Sequence, residues 1–199
     1  MSPEDRELLR RLHRIGCIKF GRFRLRDGRE SPFYIDLRPL VSHPAELRSV
    51  AQSLLRKAQG LEYGCLAGIP YAGLPLAVVA ALESNVPAIY ARKERHNTGT
   101  ARMVEGEFKL GDVALVLDDV ITSGGSKLEG IAHLQKAGLR VTDLVVLIDR
   151  QQGGRTTVEA AGYRLHSVMT ISEALDALLE DGAISEQQHR DCIRTVSGG

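Results

Sequence analysis

Apolar positions follow two rhythms along the chain. In the first, they recur every three to four residues. Leu8, Leu9, Leu12 and Ile15 share one helical face behind Ser2-Pro3-Glu4-Asp5, where a hydroxyl N-cap, a proline at the first helical position and first-turn acids open a helix. Gly16 is its stop. A second helix follows Ser42-His43-Pro44, with Leu47, Val50, Ala51, Leu54 and Leu55 on one face. Between them, residues 20–37 predict short strands around the turn Arg26-Asp27-Gly28-Arg29.

The second rhythm is a set of short, continuous apolar runs, at 65–69, 86–90, 113–117, 144–148 and 165–169. Helical segments at 73–83 and 126–137 separate several of them, the latter closed by Gly138. Uninterrupted apolar strands alternating with helices predict a mostly parallel sheet covered on both faces. Two last helices are expected after Ser172 and Ser185, the second headed by the capping-box pattern Ser-Glu-Gln-Gln. Residues 93–111 fit neither rhythm. They are polar and glycine-punctuated, and a loop of that length in a compact domain is usually functional or disordered.

At 199 residues the chain predicts one domain, large enough to bury its core without disulfides. Lys+Arg is 26 and Asp+Glu 25, a net charge of +1. That balance argues against binding bulk nucleic acid or an anionic membrane. The cations are lopsided, 20 arginines to 6 lysines, and the first 40 residues hold ten Lys+Arg against six Asp+Glu. Cys17, Cys65 and Cys192 are odd in number and far apart, which predicts reduced thiols. The start of the chain carries no apolar leader, and the longest apolar stretch, 74–82, is too short to span a bilayer. A soluble, cytoplasmic protein is expected.

The strongest chemical signal is the strand 113–117 running into Asp118-Asp119-Val120-Ile121-Thr122-Ser123-Gly124-Gly125-Ser126 and then a helix. A glycine-rich turn at a helix N-terminus lets backbone N–H groups approach a phosphate, and Thr122, Ser123 and Ser126 add hydroxyls. Two acids beside a phosphate would repel it unless they face something else, for which sugar hydroxyls and a divalent cation are the candidates. The turn is not a Walker A loop.

This stretch resembles the phosphoribosyl-pyrophosphate motif of the type I phosphoribosyltransferases. The rest is similar to one branch, the orotate phosphoribosyltransferases. Residues 20–38, with Phe33-Tyr34-Ile35-Asp36-Leu37-Arg38, resemble its N-terminal substrate segment, and Gly68-Ile69-Pro70-Tyr71-Ala72-Gly73 its pyrophosphate loop. Arg92-Lys93-Glu94 with Gly99-Thr100 and Val104-Glu105-Gly106 resembles its mobile catalytic loop, and Asp149-Arg150-Gln151-Gln152-Gly153-Gly154 its orotate-side strand end. The matches run in the family's order from about residue 16 to 170.

The resemblance implies a single α/β domain of the type I phosphoribosyltransferase kind. Residues 1–40 would form a small hood, 41–170 the core with its loop at about 93–111, and 171–199 the C-terminal helices. It implies transfer of phosphoribosyl from 5-phosphoribosyl 1-pyrophosphate to orotate, with Mg²⁺ held mainly by the pyrophosphate and no direct protein ligand, in a homodimer. Asp118 and Asp119 would hold the ribose hydroxyls, and residues 120–126 the terminal phosphate. Tyr71 and Ala72 would meet the pyrophosphate through their backbone, Tyr71's ring being a packing group. Arg26, Arg92, Lys93 and His96 would supply cations, Arg150 with Thr122 would contact orotate, and Phe33 and Tyr34 would stack on the pyrimidine or serve as core. A catalytically weak sensor of phosphoribosyl pyrophosphate or a nucleotide, or a transferase for another base, is the alternative.

The pattern breaks in the loop. The family usually carries a lysine three residues after position 93 and a histidine or tyrosine two further on, where this chain has His96 and Thr98. The usual Leu-Lys-Ser-Gly of the substrate segment reads Leu25-Arg26-Asp27-Gly28. The implied rate is therefore pH-dependent, because an imidazole is largely neutral where an ammonium is charged.

Overall fold

The computed structural model describes residues 1–24, 28, 30–92 and 103–197. The first helix, α1 (Pro3–Arg14), opens where the sequence predicts: the Ser2 side chain accepts a hydrogen bond from the Asp5 N–H at 3.1 Å. Strands β1 (Ile18–Arg24) and β2 (Glu30–Ile35) pair antiparallel as a separate two-stranded sheet, with a register shift between Phe20 and Phe23. A 3-10 turn over Arg38–Ser42 then leads into α2 (Pro44–Lys57), whose Val50, Ala51, Ser53 and Leu54 are buried.

Five strands form the parallel body: β3 (Cys65–Gly68), β4 (Ala88–Ala91), β6 (Ala114–Ile121), β7 (Asp143–Asp149) and β8 (Arg164–Thr170). A short strand β5 (Val104–Glu105) pairs antiparallel with β4. The order across the sheet is β5-β4-β3-β6-β7-β8. Helix α3 (Gly73–Ser84) follows β3, α4 (Gly125–Lys136) follows β6, and α5 (Gly154–Ala160) follows β7. Two closing helices, α6 (Ile171–Glu180) and α7 (Glu186–Ser197), complete the chain.

Strand alternation splits the core in two. Leu66, Leu115, Leu117, Val145 and Leu147 face one side, beneath α1, α2, α3, α6 and α7. Ala67, Val116, Leu144 and Val146 face the other, beneath α4 with Ile131 and Leu134 and α5 with Val158. The expected two-sided parallel sheet is therefore present, and its fully buried strands explain why their sequences read as unbroken apolar runs.

Three local expectations are corrected. Part of the predicted loop 93–111 is strand: Val104 is buried against the sheet edge, and Gly106 follows because a Cβ there would lie 2.8 Å from Ile89 Cγ2. Residues 93–102 of that loop lie outside the described residues. Helix α6 begins before Ser172, because Thr170 is the N-cap and forms a reciprocal capping box with Glu173, a device worth about 1 kcal/mol. Helix α5 is an unpredicted element, too short for a legible periodicity. At α7 the Ser185 box forms as expected, Ser185 N–H donating to Gln188 Oε1 at 2.9 Å.

Candidate active site

The chain leaves β3 toward β4 on one side and leaves β6 toward β7 on the other, so the sheet has its topological switch between β3 and β6. Loops departing in opposite directions open a crevice at the carboxyl ends of those strands, where open α/β sheets bind ligands. Gly68 and Gly73 let the β3–α3 turn press against β6: a Cβ on Gly68 would sit 2.7 Å from the Gly73 carbonyl, and one on Gly73 2.6 Å from the Leu117 carbonyl. The turn presents Tyr71 and Ala72. Tyr71 is 67% exposed, so its ring stands on the surface and is not the packing group the sequence suggests.

Strand β6 continues through both acids, and its two-residue period turns them to opposite faces. Asp118 points to the α4 side, 3% exposed, with Oδ2 2.6 Å from Lys127 Nζ. Its Oδ1 accepts the Asp119 N–H at 2.9 Å. Burial pushes the Asp118 carboxyl above the usual carboxylate range, with the Lys127 charge opposing that rise. Asp119, half-buried, takes the other face, and its Oδ1 accepts the Val120 N–H at 2.7 Å. On that side stands Arg38, held above its usual range chiefly by two 2.7 Å bonds to Asp36, with Asp119 adding to the same field.

Beyond the acids, Val120 is half-buried and Ile121 wholly buried, while Thr122, Ser123, Gly125 and Ser126 are exposed. Gly124 caps α4 with φ +86° and offers no side chain to the first-turn N–H groups. The adjoining loop comes close: a Cβ on Gly124 would lie 3.1 Å from the Gly154 carbonyl, and one on Gly154 would collide with the Thr122 carbonyl.

That adjoining loop carries Arg150, whose N–H donates to the Ile121 carbonyl at 3.0 Å. Arg150 is 9% exposed and its guanidinium carbon lies 5.1 Å from the Phe33 ring centroid. Phe33 is fully buried, whereas Tyr34 is half-buried with its ring 5.6 Å from that of Phe23. Asp149, 1% exposed, fixes the loop: Oδ1 accepts the Gln151 N–H at 2.8 Å and Oδ2 accepts Arg155 Nε at 3.1 Å. At the end of β4, the Arg92 N–H donates to the Met103 carbonyl at 2.8 Å, and its guanidinium meets Glu105 at 3.1 Å.

The structure thus brings Tyr71, Ala72, Arg92, Asp118 to Ser126 and Arg150 to one edge of the sheet, with Phe33 beneath Arg150. Arg26, Lys93 and His96 lie outside the described residues. Sequence reasoning missed Lys127, Arg38 and Arg155. Lys127 had a signal, since it shares the buried face of α4 with Gly130, Ile131 and Leu134, where a lysine is out of place. Among the described residues no group of three or more His, Cys, Asp or Glu is placed to hold a metal. Nor is any helix among them long and apolar enough to cross a membrane.

A model of the phosphoribosyl transferase domain matches residues 40–162. The chain is 43% identical over 187 residues to uridine 5'-monophosphate synthase of Bos taurus, covering 93% of this chain and 38% of the bovine protein. It is 37% identical over 173 residues to orotate phosphoribosyltransferase of Pyrococcus furiosus, covering 86% of this chain and 95% of that protein. The structure of Leishmania donovani UMP synthase superposes with a TM-score of 0.89 at 36% identity, over 98% of this chain and 42% of that one. The chain therefore spans about two-fifths of the length of the two synthases and nearly all of the archaeal relative.

Proposed function

The chain belongs to the phosphoribosyltransferase family, in its orotate branch, and from that premise we propose that it transfers phosphoribosyl from 5-phosphoribosyl 1-pyrophosphate to orotate. The products are orotidine 5'-monophosphate and pyrophosphate. The observation that carries the reading is the convergence, at one switch point, of an uncapped glycine turn, an acid pair and a buried arginine.

In this reaction the ribose C1 gains positive charge while negative charge builds on the leaving pyrophosphate. Fixed donors and water exclusion then lower the barrier. The N–H groups of Gly125 and Ser126, at the head of α4, point where a phosphate would lie, and the exposed hydroxyls of Thr122, Ser123 and Ser126 flank it. Asp118 and Asp119 accept from the ribose hydroxyls, and Asp119, half-buried and on the open face, holds negative charge beside the developing cation. Tyr71 and Ala72 offer backbone to the pyrophosphate, and Arg92 supplies charge to it, with Arg26, Lys93 and His96 completing the set. Arg150 meets the orotate carboxylate, and Tyr34 is the accessible aromatic of the pair on β2.

The donors at the crevice are hard oxygens, which suit Mg²⁺. We place that ion mainly on the pyrophosphate, without a direct protein ligand, where it supplies positive charge to the leaving group. We further propose a cytoplasmic homodimer in which residues 1–40 act as the hood over a single catalytic domain. The outer surface supports the dimer: Val41, Tyr71, Val78 and Leu82 are 60%, 67%, 54% and 79% exposed, and a helix as apolar as α3 is expected to be covered.

Incubation with phosphoribosyl pyrophosphate, Mg²⁺ and orotate tests the reading through loss of orotate absorbance. Turnover supports it, and no consumption at high enzyme concentration overturns it.

A further inference from the structure

Lys127 has no part in the reaction as described above, yet its burial is costly. It is the third residue of α4, 7% exposed, on the face otherwise given to Gly130, Ile131 and Leu134. An ammonium there loses its hydration, and a cation in the first turn of a helix opposes the macrodipole. Neither cost is offset by packing, since an apolar side chain of similar length would fill the same space. What its Nζ gains instead is Asp118 Oδ2, at 2.6 Å.

The consequence is a carboxylate fixed from three elements. Oδ2 is held by Lys127 of α4, and Oδ1 by the Asp119 N–H of β6. Gly73, at the head of α3, leaves the space Oδ1 occupies, since a Cβ there would lie 3.0 Å from it. The contact also joins the strand end bearing the acids to the turn of α4, because Lys127 directly follows Ser126 and its own N–H donates to the Gly124 carbonyl at 3.0 Å. Without that ammonium, buried Asp118 would either keep a second negative charge next to Asp119 beside a turn built to receive a phosphate, or take up a proton and lose its fixed acceptor geometry.

We propose that Lys127 is a positioning residue for phosphoribosyl pyrophosphate: locked on Asp118, its ammonium orients that carboxylate and cancels its charge beside the phosphate turn. Binding of a polyanion next to the acid pair then becomes favourable, since of the two only Asp119 presents uncompensated charge. The inference rests on the reading that this crevice binds phosphoribosyl pyrophosphate.

A double-mutant cycle tests it, with phosphoribosyl pyrophosphate affinity measured by calorimetry at fixed Mg²⁺ and ionic strength for wild type, Lys127→Met, Asp118→Asn and the double variant. Lys127→Met is expected to weaken affinity about tenfold or more in the wild-type background. In the Asp118→Asn background, where a neutral amide replaces the carboxylate, the same change should cost no more than about threefold, the non-additivity of residues in contact. Lys127→Arg is expected to restore most of the affinity. In turnover, the KM for phosphoribosyl pyrophosphate should rise more than that for orotate. If Lys127→Met fails to fold by circular dichroism, Lys127→Gln replaces it in the cycle.

Equal losses in both backgrounds, unchanged affinity in Lys127→Met, or no rescue by arginine would each overturn the proposal. A wild type that binds phosphoribosyl pyrophosphate but consumes no orotate defeats the orotate reading alone, and the cycle still decides the role of Lys127. A wild type that binds no phosphoribosyl pyrophosphate defeats both.

Discussion

Arg150 lies over the face of Phe33, its guanidinium carbon 5.1 Å from the ring centroid, so the end of β7 rests on the small sheet formed by β1 and β2. A desolvated cation–π contact of this kind contributes about 1–2 kcal/mol. Phe33→Leu keeps an apolar core residue but removes the ring. It is expected to raise the KM for orotate about fivefold to thirtyfold, the kinetic equivalent of that contact, and to leave the KM for phosphoribosyl pyrophosphate unchanged. Steady-state kinetics with each substrate varied separately checks it, and equal rises in both constants would refute the assignment.

Arg155 secures the same loop from below. It donates to Asp149 Oδ2 at 3.1 Å and to the Leu165 carbonyl at 2.8 Å, while Asp149 Oδ1 holds the Gln151 N–H at 2.8 Å. Arg155→Met strands a buried carboxylate, which is expected to cost about 1–3 kcal/mol of stability. Arg150 should then lose its fixed approach. Denaturant unfolding should show a lower midpoint, and the KM for orotate should rise while the melting loss is partly reversed by Arg155→Lys. An unchanged midpoint would show that solvent satisfies Asp149.

The outer face of α3 supplies a third test. Val78 and Leu82 are one turn apart and largely exposed on a helix whose inner face, Leu76, Ala77 and Ala80, is already buried. Replacing both by glutamate puts two charges into any interface formed there, at little cost to a surface position. Light scattering is expected to report a dimer for the wild type and a monomer for Val78→Glu/Leu82→Glu. A wild-type monomer, or a dimer indifferent to the change, would place the contact elsewhere.

The two-sided sheet was legible because β3, β6 and β7 are buried on both faces, and so read as unbroken apolar runs between helices. The crevice was legible because its chemistry is contiguous: strand, acids, glycine turn and helix all fall within 113–137. What escaped was long-range or short. Lys127 was hidden by a local reading that gives any lysine to solvent, and its partner is a strand residue nine positions back. Arg38 comes into the electrostatic reach of Asp119 only through tertiary folding, and β5 has two residues, too few to show a period. The opposite orientations of Asp118 and Asp119 follow from strand geometry, but only once β6 is known to run past both.

At the far ends of β7 and β8, Asp143 is expected to contribute to acid sensitivity. Its burial favours the neutral form, but hydrogen bonds from Arg164 at 2.6 Å, His166 and Thr142 outweigh it and bring the pKa down to about 2. An ordinary aspartate titrates near 3.9. A lowered folded-state pKa contributes stability that is complete above the unfolded value and is lost as pH falls through the folded one. Thermal unfolding of the wild type should therefore weaken between about pH 5 and pH 2, with a shallower slope in Asp143→Asn. Parallel slopes for the two proteins would assign the acid sensitivity to other carboxylates.

If His96 supplies charge in the loop, as proposed, it sets how the rate responds to base. The family's loop usually places a lysine here, cationic throughout the physiological range, whereas an imidazole has an ordinary pKa of about 6.5. Substrate phosphates near an imidazole would favour its charged form. If the loop works by neutralising charge on the leaving pyrophosphate, the active form is the protonated one, present below the pKa in the complex and lost above it. The wild-type rate is therefore expected to fall as pH rises from 6 to 9, whereas His96→Lys should be flatter and faster at the alkaline end. Steady-state rates of both proteins across that range check the sign. A flat wild-type profile with no gain from lysine would show that position 96 does not carry charge in the transition state.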